Sequence, residues 1–272
     1  MFETQTNVSK SVPRSRAATG ATLLSLLAVI SCWELAVRAF GMPTYVVPSP
    51  LEVVSALITE FPTLLPHIGV TLFAWFVGLL TGAAIGFALA VIVSPPSLAE
   101  RIVTALAVAV MVMSSCLGPL YLIAFLGLGA TAPIVEIALV TGPIMLIMCA
   151  AGLRQADPVE SARLRESGAS GFQLLFDQKI PAALPMMSVG LMIAAILGLV
   201  TAVVGGMANS EAGLGFMYVK YAQMMMTPQA HACVLIVVIL CISIYLLFTS
   251  LEETWVRCIN DRRRRNDGPR DA

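Results

Sequence analysis

One carboxylate stands inside a long apolar run: Glu136, in the stretch from Pro133 to Leu153. An ionisable group at the centre of a bilayer costs about 2.5–3.5 kcal/mol on insertion scales, less near an end, and normally faces protein or water. Glu136 is only a few residues from the end of its run. Two roles are therefore open to it, an interfacial carboxylate or a group that lines or gates a path for a solute. Ser114 and Ser115, in the preceding apolar run that Pro119 interrupts, are the other polar candidates for such a path. The six cysteines are scattered among separate hydrophobic stretches and none forms a C-x-x-C pair, which points away from zinc and redox dithiol chemistry and toward helix packing. His67 and His231 are isolated near the ends of apolar runs. G-x-x-x-x-G-K-[ST], H-E-x-x-H and G-x-S-x-G are all absent. No catalytic residue, metal or cofactor is expected in this chain.

The elements that hold these residues follow from composition. Of the 272 residues, 58% are hydrophobic and only 12% charged, against about 45–50% and about 25% in soluble domains. The net charge of zero offers no footprint for nucleic acid. Six stretches reach the roughly 20 residues a spanning helix needs: about 17–37, 68–93, 102–128, 133–153, 183–207 and 230–251. Alternating strand-like segments of the kind a barrel requires are missing. The expected class is an all-α integral membrane protein with six transmembrane helices. A cleavable signal is the rival for the first stretch, but the run is longer than a signal core and lacks a convincing cleavage site, so it is read as a retained signal-anchor.

Every lysine and arginine except Arg38 and Lys220 then falls on the side that holds both termini. Positive charge marks the cytoplasmic face, so both termini are expected inside the cell. The chain divides into a cytoplasmic N-terminal tail (1–16), a membrane domain (17–251) and a basic cytoplasmic C-terminal tail (252–272). In the second span Gly78, Gly82 and Gly86 form a small-residue stripe for close helix packing.

The connection at 152–185 is expected to be ordered. Asp157 suits an N-cap, Pro158 a first helical position, and Glu160 a capping-box partner. Gly168 supplies a helix stop, and Ser170 with Gln173 opens a second capping box. Phe172, Leu175 and Phe176 give the second helix an apolar side. Acidic and basic residues balance within the segment, unlike a polybasic lipid anchor. An amphipathic loop resting on lipid headgroups remains open, while the charge balance and the phenylalanines favour a surface that docks protein.

This segment resembles the cytoplasmic "EAA" signature of binding-protein-dependent ABC transporter permeases. Glu160, Ser161 and Ala162 stand for the triplet, Gly168-Ala169-Ser170 for the glycine turn, and Ile180-Pro181 with Pro185 for the re-entry. Gly213-Leu214-Gly215 is a common companion. Trp33-Glu34-Leu35 and Pro48-Ser49-Pro50 are similar to the nitrate/sulfonate/taurine (alkanesulfonate-type) branch. Ser161 departs from the usual alanine, the leucine before Pro181 is lost, and Gly205-Gly206 occupies a place where many relatives carry a glutamate.

The resemblance implies a type I ABC importer permease-like bundle in a bacterial inner membrane, itself without ATPase activity. It implies a homodimer, two ATP-binding cassette subunits that bind ATP-Mg, and a periplasmic or lipoprotein solute-binding protein. Glu160, Ser161, Ala162, Gly168, Ala169 and Phe172 would make the ATPase-coupling surface. The branch implies a small anion such as nitrate, a sulfonate or taurine, while related permeases carry pyrimidines, riboflavin or aromatic acids. The alternative is an ion-coupled secondary carrier or channel that uses Glu136.

Overall fold

The computed structural model describes residues 16–93, 98–127, 129, 131–209 and 211–266. Most of the expected N-terminal tail and the end of the C-terminal tail lie outside them. Among the described residues the chain is entirely helical: α1 (Arg16–Ala39), α2 (Pro50–Val93), α3 (Leu98–Leu126), α4 (Thr131–Leu153), α5 (Pro158–Glu166), α6 (Gly171–Leu174), a π-helical turn (Leu175–Lys179), α7 (Ile180–Asn209), α8 (Leu214–Gln223) and α9 (Thr227–Asn266). Four stretches are long and apolar enough to cross a membrane: Pro50–Val93, Thr131–Leu153, Gly171–Ala208 and Thr227–Leu251. With 24 and 29 residues, α1 and α3 also have spanning length, since a rise of about 1.5 Å per residue exceeds a core of about 30 Å in both.

The centre of the bundle is α4, packed between α2 and α7. The expected glycine stripe is the reason α2 comes so close. A Cβ at Gly78 would sit 2.7 Å from Ile137 Cβ, and one at Gly86 would be 2.9 Å from Met145 Cβ. At Gly82 it would lie 2.9 Å from the Ala138 carbonyl oxygen. The backbones touch where side chains are missing, which is how helices gain van der Waals contact where lipid competes for apolar surface. Across α2 and α7, the Trp75 indole N–H donates to the Ala195 carbonyl at 2.8 Å. The core continues through Leu146, Cys149, Leu153, Ala194, Ala195 and Leu199, all essentially closed to solvent.

Three elements run differently from the expectation. The second span is the end of a longer helix: α2 starts 18 residues earlier than residue 68, at Pro50, and carries Pro62 and Pro66 inside it. Its start is fixed by a capping box in which Glu52 N–H donates to Ser49 Oγ at 3.3 Å and Ser49 N–H donates to Glu52 Oε2 at 2.9 Å. The last helix continues through residue 251 to Asn266. The third difference is α8, which sequence periodicity did not announce.

The Gly213-Leu214-Gly215 motif explains why α8 sits where it does. Gly213 has φ +122°, a conformation that L side chains rarely adopt. Leu214 is fully buried. A Cβ on Gly215 would collide with the Val203 carbonyl oxygen and lie 2.7 Å from Met207 N, so α8 lies directly on the α7 backbone. Two side chains of α2 satisfy the free N–H groups at its start. Gly213 N–H donates to His67 Nδ1 at 3.1 Å, and Leu214 N–H donates to Thr71 Oγ1 at 2.9 Å. At the other end the Tyr221 hydroxyl donates to Glu60 Oε2 at 3.0 Å. Burial, reinforced by the Glu60 carboxylate, pushes the Tyr221 phenol up from its ordinary range.

Candidate functional site: a capped turn and a buried carboxylate

The connection between α4 and α7 is a built structure. Asp157 caps α5 by accepting from Val159 N–H at 2.8 Å, with Pro158 in the first turn. The helix ends in a complete Schellman turn. Gly168 N–H donates to the Arg165 carbonyl and Ala169 N–H to that of Leu164, both at 3.0 Å, and Gly168 itself takes φ +83°. A full capping box opens α6: Gln173 N–H donates to Ser170 Oγ at 3.3 Å and Ser170 N–H to Gln173 Oε1 at 2.8 Å.

The two limbs of the turn are tied by a residue that the sequence did not single out. Gln178 is buried; its Nε2 donates to the Asp157 carbonyl at 2.9 Å, and its Oε1 accepts from Ser161 Oγ at 2.8 Å. The serine that replaces the usual alanine therefore joins α5 to the π-helical turn. The signal that could have found Gln178 is weak: one long amide among apolar positions at the mouth of a span.

Around that brace the surface is open. Glu160, Ala162, Gly168 and Phe172 are exposed, while Ser161 and Ala169 are partly buried. Phe172 is 69% and Phe176 51% exposed, and their rings pair at 4.4 Å. All six residues singled out in the sequence thus fall on or beside one turn. Below it, the buried Glu100 of α3 pairs with Arg154 at the end of α4.

The second helix of the turn runs on into the following span: α6, the π-helical turn and α7 follow without a break from Gly171 to Asn209. Proline lacks an N–H and its ring crowds the carbonyl four residues back. The wider π turn, where Ile180 N–H reaches the Leu175 carbonyl, relaxes that crowding just before Pro181.

Glu136 is buried: its side chain is 1% exposed and packs against Gly118 of α3 and Gly205 of α7. Two glycines make room for it. A Cβ at Gly205 would overlap Glu136 Oε2, and one at Gly118 would lie 3.4 Å from Oε1. Gly205, noted as standing where relatives carry a glutamate, is thus the socket for a carboxylate that arrives from α4. Ser114, 5% exposed, shares this place: its Oγ would lie 3.2 Å from the same Gly118 Cβ. Among the described residues neither Ser114 Oγ nor Glu136 Oε2 has a hydrogen-bond partner. The Ser115 side chain lies outside the described residues. Among those residues no group of His, Cys, Asp and Glu could hold a metal ion.

The chain belongs to the family described as binding-protein-dependent transport system inner membrane component, which it matches over residues 39–257. It is a multi-pass membrane protein of an ABC transporter permease family. It is 28% identical over 228 residues to a probable ABC transporter permease protein of Haemophilus influenzae, covering 82% of this chain and 91% of that one. It is also 28% identical over 216 residues to the formylaminopyrimidine transport permease protein ThiX of Halalkalibacterium halodurans, covering 79% and 84%. In fold it is similar to a chain of the inward-facing MetNI methionine ABC transporter, with TM-score 0.62, 20% identity and coverage of 72% and 97%. A crystal structure of an amino acid ABC transporter with histidines matches at TM-score 0.53, 16% identity and coverage of 74% and 95%. The all-α type I importer class expected from the sequence is the class found.

Proposed function

We propose that the chain is the permease subunit of an ATP-driven importer, that two copies form the substrate path, and that the 157–178 turn seats in a groove of a separate ATPase. ATP-Mg binds and is hydrolysed in that partner. A solute-binding protein delivers the substrate to the opposite face. Both termini and the turn lie in the cytoplasm, the side that gathers the basic residues. The observation that carries this reading is the turn itself. It is capped at each helix start, braced by Gln178, crowned by the exposed Phe172–Phe176 pair, and continuous with a spanning helix. A partner that binds it differently in two nucleotide states shifts the helix it extends, because only differential contact moves an equilibrium.

The substrate is a small metabolite. The formylaminopyrimidine relative supports the pyrimidine side of the sequence-derived range over the sulfonate, taurine or nitrate side. The test is co-expression with the ATPase from the same operon, with Ala169→Cys on the turn and a cysteine in the ATPase groove. Cross-linking that varies with nucleotide, together with ATP-dependent uptake, is the expected result. A chain that copurifies with no ATPase and supports no ATP-dependent uptake sinks the reading.

A further inference from the structure

The ion pair between Glu100 and Arg154 joins two parts of the molecule that hang together only loosely elsewhere. Arg154 follows directly on α4, and the chain folds back at once, with Gln155 N–H donating to the Gly152 carbonyl at 3.0 Å. Three residues beyond Arg154, Asp157 caps α5. The end of α4 is seated on α7: a Cβ at Gly152 would lie 3.0 Å from the Cα and the carbonyl oxygen of Ala183, a residue closed to solvent. Ala183 belongs to the helix that runs unbroken out of the turn. Arg154, the end of α4, the start of α7 and the turn therefore form one body.

α3 stands outside that body. It packs on α4 and α7 but scarcely touches α2. An apolar cavity of about 570 Å³ lies on that side, lined among others by Ile85, Leu89, Val103, Leu106 and Leu146. The far end of α3 reaches α4 through Gly127 at φ +73° and Gly129 at φ +154°, with open space beside both. Glycine tolerates such angles and a range around them, so this link is pliant. At its near end Glu100, in the first turn of α3, is buried against Arg154. A carboxylate at a helix start and a cation at a helix end are each favoured by the helix dipole even when exposed. Burying the carboxylate adds a desolvation cost that its attraction to the partner does little more than offset. What burial supplies is a stiff tie. Drawing Arg154 away would leave a carboxylate buried and unpaired, so the near end of α3 has to follow.

We infer that Glu100 and Arg154 are positioning residues for transport. A shift of the turn imposed by the ATPase moves two spans, α7 directly and α3 through the ion pair, and the cavity beside α2 takes up the displacement. The inference rests on the importer reading and names the contact through which its coupling reaches α3. Such coupling needs a contiguous chain of contacts, and here it runs from the turn through Ala183, Gly152 and Arg154 to Glu100.

The test is hydrogen exchange on the permease–ATPase complex in lipid nanodiscs, nucleotide-free and held with ATP and vanadate. It is followed at residues 98–104 of α3 and 157–170 of the turn. In the wild-type complex both segments change their exchange with nucleotide, by about threefold or more. Glu100→Leu combined with Arg154→Met removes the pair without orphaning a charge, a replacement that is often neutral for stability. That variant melts as the wild type does and its turn still responds, while the α3 response falls below about 1.5-fold. Arg154→Lys keeps the charge and keeps both responses. If the double variant fails to assemble with the ATPase, Glu100→Gln, of the same shape without the charge, decides by the same comparison. An undiminished α3 response in the deciding variant overturns the inference. So does a wild-type α3 that ignores nucleotide while the turn responds, or a lysine variant whose α3 is silent. A wild-type complex in which the turn itself does not respond overturns the importer reading instead.

Discussion

Replacing Gly168 by valine isolates the role of one backbone angle. Gly168 has φ +83° and nothing within 4 Å of where its Cβ would be, so the side chain meets no clash and the cost is confined to the main chain. An L-residue in the left-handed region costs about 1–2 kcal/mol, and a β-branched one belongs there least of all. The alternative is to leave that region and abandon the two Schellman bonds, from Gly168 N–H to Arg165 and from Ala169 N–H to Leu164. At about 0.5–1.5 kcal/mol each, that route costs about 1–3 kcal/mol. By either route the docking-competent turn loses about 1–3 kcal/mol, roughly a fivefold to 150-fold drop in its population at about 1.4 kcal/mol per decade. The assay is ATP-dependent uptake by membranes that carry the complex, set beside the amount of inserted permease and its thermal stability. Uptake falls by about tenfold or more in Gly168→Val, while insertion and melting hold. Gly168→Asn, which tolerates the left-handed region, stays near wild type. Wild-type uptake in the valine variant would refute the argument, and so would an asparagine variant as poor as valine.

Three further outcomes follow from contacts described above. Gln178→Ala removes the brace between α5 and the π-helical turn and costs about 1–3 kcal/mol of local stability, seen as faster hydrogen exchange across residues 157–170; unchanged exchange would mean that the two limbs hold without it. Phe172→Ala leaves melting within about 0.5 kcal/mol of wild type because the ring lies outside the core, yet lowers copurification of the ATPase; equal recovery counts against the docking surface. Gly215→Ala forces α8 off the α7 backbone and destabilises by about 1–3 kcal/mol, read from thermal melting of the purified chain.

The parts of the fold set by bulk hydrophobicity were legible, and so were those set by local capping chemistry. Apolar runs announced the spans, and Ser170 with Gln173 formed the box that their spacing implied. The early start of α2 was hidden because the apolar run begins only after Pro62 and Pro66, two prolines that the long helix carries inside it. The passage of the chain over Pro181 depended on a π turn, for which no residue pattern gives warning. That Glu136 is fully buried was not legible, because position along a span says nothing of which helices pack against it. Its partners, Gly118 and Gly205, lie on other helices, and only packing reveals that two missing Cβ atoms make one carboxylate's socket. Motif spacing pointed to the residues proposed for coupling, while Gln178 was missed because its contacts are with Asp157 and Ser161, many residues away.

The unbroken run from Gly171 to Asn209 makes a single rod that starts beside the exposed turn and ends under α8. From Gly171 to the glycine that holds Glu136 it spans about 50 Å at 1.5 Å per residue. Over that length each degree of tilt displaces the far end by about 0.9 Å. A push at the turn would travel along this rod as a lever stroke, and a few degrees there would shift Gly205 by a few ångströms against the Glu136 carboxyl group.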